Sequence, residues 1–434
     1  MGTRACREQT MNERQYPIEI AWTDLEAIVG AEYIRPTTSS DMIDGLQPAK
    51  VIAPGTAQEV AKVLQYCSSA GLAVVPRGSG SKLGLGNRPQ KADLVLSTER
   101  LNRVVEHVWG DMTAVVEAGC TIENLQSAIR PHGQRLAADP LWPERCTVGG
   151  LLATAESGTF RLRYGAVRDL VLGVEVALPD GNLIKAGGKV VKNVAGYDLT
   201  KLVIGSLGTL GVITRAAFRL HPMPVATATY SARVGSATEA SRLVLAILGS
   251  FMVYTGLQVR ASRADQFTVD VRFEGIPESL NDQYEKLVKI ASEAKVAESP
   301  GDVWKARQQL FSNAGDSVIC KCSVLPKQIG ALCDGVFQQA KAAEVAATLV
   351  AQGTGLAEVR LDAGAPALMK VVNGLRAGVD RLDGTLVVEQ CPPAIKESLD
   401  VWGTLKDAVP LMQQIKAKFD PAGTLNPGRF VGAI

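Results

Sequence analysis

The sequence predicts an α+β fold with two main domains, and three observations favour it. A strand–helix–strand unit at residues 51–75 runs into a glycine-rich loop at 78–86, and strands with a hairpin continue to about residue 219. Residues 225–400 then show an order of strand, helix and further strands twice. A chain of 434 residues is long enough for two to three domains. The expected divisions are a lead at 1–45, a first domain at 46–224, a second at 225–400 and a closing segment at 401–434.

Composition and charge argue against several classes of protein. Hydrophobic residues make up 46% of the chain, as in globular proteins, and a net charge of +2 without a basic tract gives no sign of a nucleic-acid partner. The eight cysteines are scattered without metal-binding spacing, which favours a reducing cytoplasm. Residues 1–15 lack the apolar region of a signal peptide, and the longest uncharged run, 243–259, is shorter than the ~20 residues that span a bilayer.

The first elements deliver the chain to the glycine loop. A short strand at 51–53 is followed by Thr56 and Glu59, whose spacing predicts a capping box at the start of a helix. Gly71 ends that helix, and a strand at 72–75 leads into the loop.

The loop has the composition of an anion site. Its glycines read G-x-G-x-x-x-G-x-G over 78–86, which matches neither the dinucleotide-binding G-x-G-x-x-G nor the P-loop. Glycine lets consecutive backbone N–H groups form a concave anion site, and Arg77 and Lys82 add positive charge, so two adjacent phosphates would suit it. Because the loop follows the second strand of its β-α-β unit, loop amides should matter more than a helix dipole. A flexible surface connection is the alternative.

Further elements complete the first domain. A Gly-Gly pair at 149–150 follows a rigid segment with two prolines, and indicates backbone that lies against something flat or bulky. Glycines at every third position of 205–211 precede a last strand, and Pro222 and Pro224 mark a domain boundary. The other predicted elements are an amphipathic segment at 22–29, strands at 93–97, 104–117, 170–178 and 183–186, and helices at 122–129 and 198–204.

Four motifs follow one another in the first domain: Pro-Arg-Gly-Ser-Gly-Ser at 76–81, Thr-Val-Gly-Gly at 147–150, Arg-Tyr-Gly at 163–165 and Leu-Pro-Asp-Gly at 178–181. Because of these motifs and their order, about residues 48–222 resemble the FAD-binding domain of the vanillyl-alcohol oxidase / p-cresol methylhydroxylase (PCMH) superfamily. Within that superfamily, residues 191–199 and 205–211 are most similar to glycolate oxidase subunits. The ending at 419–430 resembles that of the smaller of the FAD-binding glycolate oxidase subunits.

The resemblance implies a two-subdomain PCMH-type FAD-binding domain and a set of cofactor-binding residues. The amides of 77–81 would hold the FAD pyrophosphate, residues 148–150 would lie against the isoalloxazine ring, and 211–213 would approach the adenine side. The C-terminal segment would return to the first domain and close over the cofactor. The residues so implied are Arg77, Gly78, Ser79, Gly80, Ser81, Thr147, Val148, Gly149, Gly150, Thr154, Ser157, Gly158, Tyr164, Gly165, Gly211, Val212, Ile213, Asn426 and Arg429.

A covalent flavin link in this family usually uses a histidine or a cysteine. Nothing in the sequence fixes His107, His132, Cys120 or Cys146 as an attachment point, so we expect noncovalent FAD.

Residues 225–400 are expected to form a ferredoxin-like α+β cap from two similar halves, the second starting at Val318. The larger 2-hydroxy-acid dehydrogenases of the superfamily carry a histidine cluster in the cap, which binds a metal and supplies a general base. Here all three histidines, at 107, 132 and 221, precede the cap. We therefore assign no metal site and no catalytic residue.

The resemblance and the missing imidazoles favour an FAD-binding subunit of a glycolate oxidase or dehydrogenase complex. Such a subunit would support the oxidation of glycolate, a small 2-hydroxy acid, to glyoxylate beside a catalytic flavoprotein subunit and an iron–sulfur subunit. It would be cytoplasmic and would reach the inner face of the membrane through those partners. Two alternatives are a self-sufficient FAD-dependent oxidoreductase on another small alcohol or hydroxy acid, and a non-catalytic scaffold.

Overall fold

The computed structural model describes residues 20–188, 198–403 and 407–434. In these ranges, the strands before residue 224 form a four-stranded sheet, a five-stranded sheet and a two-stranded ribbon, and the strands after it form one sheet of eight. This topology agrees with the predicted α+β class, while the domain limits at 45/46, 224/225 and 400/401 stay a prediction. No helix of the described ranges is both long and apolar enough to cross a membrane.

The four-stranded sheet carries the glycine loop at the end of one strand. Its elements are α1 (Trp22–Val29), β1 (Ile34–Pro36), β2 (Lys50–Ile52), α2 (Ala57–Ser69), β3 (Val74–Arg77) and β4 (Leu94–Ser97). The sheet order is β1-β2-β4-β3, and β2 and β3 both run parallel to β4. Strand β3 extends to Arg77 rather than ending at residue 75. Pro76 is tolerated there because β3 lies at the sheet edge, where a missing N–H breaks no ladder.

The predicted N-cap of α2 is present, but the capping box is incomplete, because Glu59 bonds the amide of Gly55 and not that of Thr56. Thr56 Oγ1 accepts a hydrogen bond from the Glu59 amide at 3.1 Å, and the Glu59 carboxylate accepts one from the Gly55 amide at 2.7 Å. Two backbone donors at the helix start are thereby satisfied, which fixes where the helix begins.

The second subdomain is built on the five-stranded sheet. Its elements are β5 (Val104–Val108), β6 (Thr113–Glu117), α3 (Ile122–Ile129), β7 (Gln134–Arg135), α4 (Val148–Thr154), α5 (Arg161–Tyr164), α6 (Val167–Leu170), β8 (Val171–Ala177), β9 (Leu183–Gly187), α7 (Leu199–Val203), β10 (Val212–Arg219) and β11 (His221–Pro222). The order is β5-β6-β10-β8-β9, with every pair antiparallel, and β7 pairs with β11. No periodicity predicts α4. It begins because Thr147 Oγ1 accepts a hydrogen bond from the Gly150 amide at 3.3 Å.

The eight-stranded sheet consists of two ferredoxin-like units joined edge to edge. Its elements are β12 (Ala226–Val234), α8 (Ala237–Leu248), β13 (Tyr254–Arg263), β14 (Gln266–Gly275), α9 (Pro277–Ile290), β15 (Val296–Glu298), α10 (Ala306–Leu310), β16 (Val318–Ser323), α11 (Ile329–Ala342), β17 (Ala346–Gln352), β18 (Leu356–Asp362), α12 (Ala365–Asp380) and β19 (Thr385–Gln390). The order β15-β12-β14-β13-β17-β18-β16-β19 repeats one arrangement about the β13–β17 contact. The predicted ferredoxin-like cap and its second half at Val318 are therefore confirmed.

The closing segment returns to the first sheet, as predicted. It contains α14 (Val409–Phe419), and α13 (Pro393–Lys396) precedes it at the end of the second domain. The Val74 amide donates to the Thr424 carbonyl at 2.7 Å, and the Asn426 amide donates to the Val74 carbonyl at 3.0 Å. This pairing places the residues after 424 beside the strand that enters the glycine loop.

Candidate functional site

A continuous cleft lies between the loop after β3 and helix α4. It consists of two adjoining cavities that share part of their walls. We call it the glycine-loop cleft. The residues common to both cavities are Pro76, Arg77, Gly78, Gly150, Ala153 and Leu207.

Most of the residues that the resemblance implies line this cleft. The loop after β3, the start of α4, the start of β10 and the closing segment all contribute to the walls. The implied residues among the lining are Arg77, Gly78, Ser79, Gly80, Ser81, Thr147, Gly149, Gly150, Thr154, Gly211, Val212, Ile213, Asn426 and Arg429. The structure thus brings together segments that are far apart in the sequence.

Five implied residues lie elsewhere. Val148 is fully buried in the core of the second subdomain, on the face of α4 that points away from the cleft. The Ser157 carbonyl accepts a hydrogen bond from Arg307 of the cap at 2.9 Å, and a Cβ on Gly158 would fall 2.4 Å from the Asp139 carbonyl. The Tyr164 hydroxyl donates to Glu274 of the cap at 3.0 Å. Gly165, with φ +85°, ends the short helix α5. None of the five lines the cleft.

Several cleft residues were not selected from the sequence. Thr98, Ala153, Cys146 and the turn at 206–208 also line the walls. Leu207 has φ +54° and Gly208 φ +69°, a left-handed turn that leucine rarely adopts. In the sequence, only the glycines at 205 and 208 indicate this turn. Of the motif at 191–199, residues 191–197 lie outside the described ranges.

Glycine is required at two positions of the loop. A Cβ on Gly78 would lie 2.0 Å from Thr147 Oγ1, so no side chain fits between the loop and the start of α4. Gly80 has φ +83°, where a side chain is strained in any surroundings. The loop can therefore adopt this conformation against Thr147 only with glycine at positions 78 and 80.

The loop amides are available as hydrogen-bond donors. Among the described contacts, the N–H groups of Ser79, Gly80 and Ser81 donate to no protein acceptor, although all three residues line the cleft. Successive free amides in a turn form a concave site for an anion.

Arg429 brings a buried positive charge to the same wall. Its side chain donates to the carbonyls of Leu83 at 2.6 Å and Leu85 at 2.7 Å, and to Asn426 Oδ1 at 3.2 Å, while its Nε has no partner. No carboxylate of the described residues forms an ion pair with it. Burial lowers the pKa of Arg429 to about 10, opposed only by the charge of Asp44. That carboxylate already binds Lys396 at 2.9 Å, so the cleft retains uncompensated positive charge.

Cys146 is the thiol that lines the cleft, and it is not activated. Burial raises its pKa to about 12, with Glu156 adding to the effect, so the thiol stays protonated near neutral pH. His107 contacts Gln134 at 2.9 Å and His221 packs against Tyr164, so neither imidazole reaches the cleft. Noncovalent attachment stays a prediction.

A buried ionic network joins the loop to the cap. Glu156 accepts from Lys82 at 2.7 Å and from Arg307 of α10 at 2.5 Å. Burial alone would raise the pKa of Glu156, but the two cations outweigh it and hold the pKa at about 2. Within the described residues no group of three or more potential ligands could hold a metal ion, and the absence of a metal stays a prediction.

Comparison with known proteins agrees with this geometry. Residues 48–187 match the model of the FAD binding domain, and residues 404–430 match that of the C-terminal domain of FAD linked oxidases. The chain is 36% identical to glycolate oxidase subunit GlcD of Bacillus subtilis over 211 residues, 49% of this chain and 45% of that protein. It is 28% identical to D-lactate dehydrogenase of Archaeoglobus fulgidus over 412 residues, 88% of this chain and 91% of that protein. The chain thus spans less than half of the first relative and most of the second.

Solved structures show the same fold. p-Cresol methylhydroxylase superposes with a TM-score of 0.76 at 14% identity, covering 94% of this chain and 95% of that one. An alkyldihydroxyacetonephosphate synthase superposes with a TM-score of 0.74 at 17% identity, covering 94% and 84%. The chain therefore carries an FAD binding domain in a fold of the p-cresol methylhydroxylase type, and FAD is its cofactor.

Proposed function

We propose that this chain is the smaller FAD-binding subunit of a glycolate oxidase or dehydrogenase complex. The complex would oxidise glycolate to glyoxylate and pass the electrons on through a catalytic flavoprotein subunit and an iron–sulfur subunit. The similarity to glycolate oxidase subunit GlcD supports glycolate as the substrate of the complex. The match to the FAD binding domain supports FAD as the cofactor.

The observation that carries the FAD site is the combination of free loop amides and a buried arginine. The amides of Ser79, Gly80 and Ser81 would bind the diphosphate, and Arg429 would neutralise part of its charge. Gly150 would leave room beside the ring, since a Cβ there would meet only Thr147 Oγ1, at 3.1 Å. When bound, FAD supplies a two-electron acceptor.

The absence of histidine from the cap favours a dependence on partner subunits. Oxidation of a 2-hydroxy acid requires a base for the hydroxyl proton, and residues 225–400 contain no histidine. We therefore propose that the catalytic partner subunit removes the proton from glycolate. This chain would bind a second flavin.

The first test uses the Arg429→Met variant. Loss of the guanidinium should weaken FAD binding about tenfold or more, the effect expected for a buried charge-assisted contact. Fluorescence titration of the apoprotein with FAD measures it. Arg88→Met is the matched control, because Arg88 follows the same loop but forms an exposed ion pair with Glu397 at 2.7 Å. Unchanged FAD affinity in Arg429→Met would rule out the proposed diphosphate site.

The second test compares the chain alone with the chain purified together with its partner subunits. We expect a yellow protein whose flavin absorbance near 450 nm persists on adding glycolate when alone, and falls in the complex. Bleaching of the isolated chain by glycolate would contradict the dependence on partners. It would favour the self-sufficient oxidoreductase, whereas a colourless protein that takes up no added FAD would favour a scaffold.

A further inference from the structure

Residues 38–46, between β1 and β2, pack against the glycine loop. The segment begins with a short 3₁₀ helix, Ser39–Asp41, and continues into a tight turn. In that turn the Ile43 amide donates to the Leu46 carbonyl at 2.9 Å, and the Leu46 amide donates back to Ile43 at 2.9 Å. Ile43 is fully buried and shares an apolar cluster with Leu83 of the loop. We call residues 38–46 the acidic segment, because it carries two aspartates that contact the surroundings of the loop.

The first of these, Asp41, holds the side chain of Arg77, the last residue of β3. Asp41 is fully buried, and its carboxylate accepts hydrogen bonds from the Arg77 guanidinium. It also accepts from Arg35 at 2.8 and 2.9 Å and from the Thr38 amide at 2.7 Å, which fixes the carboxylate in place. The stem of Arg77 lies against the middle of the loop, since a Cβ on Gly80 would fall 3.4 Å from Arg77 Cδ. The contact with Asp41 thus orients a side chain that supports Gly80.

The second aspartate, Asp44, holds the other end of the loop through a lysine. Its φ of +48° is left-handed, a conformation that aspartate and asparagine tolerate better than most residues. Both carboxylate oxygens of Asp44 lie 2.9 Å from Lys396 Nζ, and the same ammonium donates to the Gly84 carbonyl. The two side chains are buried. The ion pair therefore fixes the chain at Gly84.

Carboxylates beside an anion site are unexpected, because they should repel the anion. Here each one is paired with a buried cation, Asp41 with Arg77 and Asp44 with Lys396. The two contacts lie on either side of the amides of 79–81, which donate to no protein acceptor among the described contacts. Amides that are fixed before the ligand arrives bind it more tightly, since less conformational freedom is lost on binding. The arrangement therefore favours a geometric role for both aspartates.

We propose that Asp41 and Asp44 are positioning residues for the cofactor, which hold the glycine loop in the shape that binds the diphosphate of FAD. Asp41 acts through Arg77, and Asp44 acts through Lys396. Neither carboxylate contacts the cofactor. This role rests on the diphosphate site proposed above and adds to it a segment in which the sequence shows no binding motif.

The Asp41→Asn variant tests the contact with Arg77. The amide cannot form the same charge-assisted bonds, so the Arg77 side chain is released and the loop amides lose their fixed geometry. We expect the affinity of the apoprotein for FAD to fall about tenfold or more. Riboflavin, which has the ring but no phosphate, should bind within about twofold of its wild-type affinity. Fluorescence titration measures both ligands.

The matched control is Asp265→Asn. Asp265 also pairs with an arginine, Arg263 at 2.9 Å, but its side chain is 67% exposed on the cap. This variant should leave both affinities unchanged. An equal loss of affinity for FAD and riboflavin in Asp41→Asn would overturn the proposal, because it would indicate a general disturbance of the fold. Unchanged FAD affinity would overturn it as well.

A double variant shows whether Asp41 acts through Arg77. In the Arg77→Met background, Asp41→Asn should cause no further loss of FAD affinity, because the side chain that it orients is already gone. A further loss as large as that in the wild-type background would contradict the assigned route and leave Asp41 with a purely structural role.

Asp44→Asn keeps the test decisive if Asp41→Asn fails to fold. Asparagine tolerates the left-handed backbone of the turn, so the variant changes the charge and not the conformation. We expect a several-fold loss of FAD affinity, an unchanged affinity for riboflavin, and no further loss in the Lys396→Met background. Unchanged FAD affinity in Asp44→Asn would overturn the role of this residue.

The wild-type titrations separate this proposal from the diphosphate site on which it rests. The wild-type chain should bind FAD about tenfold or more tightly than riboflavin. Equal affinities would contradict the diphosphate site and the role of the acidic segment together. A preference for FAD that both aspartate variants retain would overturn only the role of the acidic segment.

Discussion

Gly78 is the residue at which the loop and helix α4 come closest. An alanine there would place its Cβ 2.0 Å from Thr147 Oγ1, so loop and helix must separate. We expect Gly78→Ala to weaken FAD binding about tenfold or more and to cost roughly 1–3 kcal/mol of unfolding free energy. FAD titration and urea unfolding measure the two effects.

Gly84 provides the control within the same loop. No atom lies within 4 Å of the Cβ position, and its φ is not in the left-handed region, so Gly84→Ala should leave both quantities unchanged. If both alanine variants behaved alike, the requirement would be loop flexibility rather than contact with Thr147.

Glu156 gives a dependence of stability on pH. Its folded pKa of about 2 is below the ordinary 4.5, so its contribution is complete above pH 4.5 and is lost as the pH falls towards 2. The stability gap between wild type and Glu156→Gln should therefore narrow by up to about 3 kcal/mol between pH 5 and 2. Urea unfolding at several pH values measures it. A gap that stayed constant over this range would mean that Glu156 is not held ionised by Lys82 and Arg307.

At the scale of elements, helix α11 contains a glycine in a tight contact and another in open space. A Cβ on Gly330 would lie 2.9 Å from Ser241 Cβ of α8, across the contact between the two ferredoxin-like units. Gly335 has no atom within 4 Å of that position. Gly330→Ala should cost about 1–3 kcal/mol, whereas Gly335→Ala should stabilise by up to about 1 kcal/mol. Thermal unfolding measures the change in stability of each variant. Changes of the same sign in both variants would contradict the packing of α8 on α11.

The elements also show what sequence patterns can and cannot predict. The cap of α2 and the doubled order of the second domain follow from local spacing, which a sequence displays directly. Helix α4 does not, because its Gly-Gly pair has low helix propensity and the helix depends on Thr147 and on packing. The sequence also cannot say which face of α4 meets the cleft. Gly150 and Thr154 do, whereas Val148 faces the core.

At the scale of the whole molecule, buried ion pairs connect the first domain to the cap. Arg307 of the cap binds Glu156 of the first domain and also lies 3.3 Å from Glu358 of the cap itself. Arg135 of the first domain binds Glu274 of the cap at 2.5 Å. The two pairs between the domains join residues distant in the sequence, so no local pattern predicts them. Removing one member leaves a buried charge uncompensated, which is the costly case.

Arg307→Met tests how far this network holds the domains together. The change removes one of the two cations that bind Glu156, which keeps Lys82, and the cation beside Glu358. We expect a loss of about 3–5 kcal/mol in unfolding free energy, measured by urea titration. Arg242→Met removes an exposed ion pair with Glu293 on the cap and should cost less than about 1 kcal/mol. Equal losses in the two variants would show that the interdomain pairs contribute no more than surface pairs.

The return of residues 424–429 to strand β3 has a consequence for how the protein is made. A nascent chain that has left the ribosome only as far as residue 420 already holds the entire glycine loop. It still lacks the Thr424 carbonyl, which accepts the hydrogen bond from the Val74 amide. It also lacks Arg429, whose guanidinium donates to the carbonyls of Leu83 and Leu85. Residues as far as 429 must therefore be synthesised before this wall of the glycine-loop cleft is complete, and the cap will already have been synthesised by then.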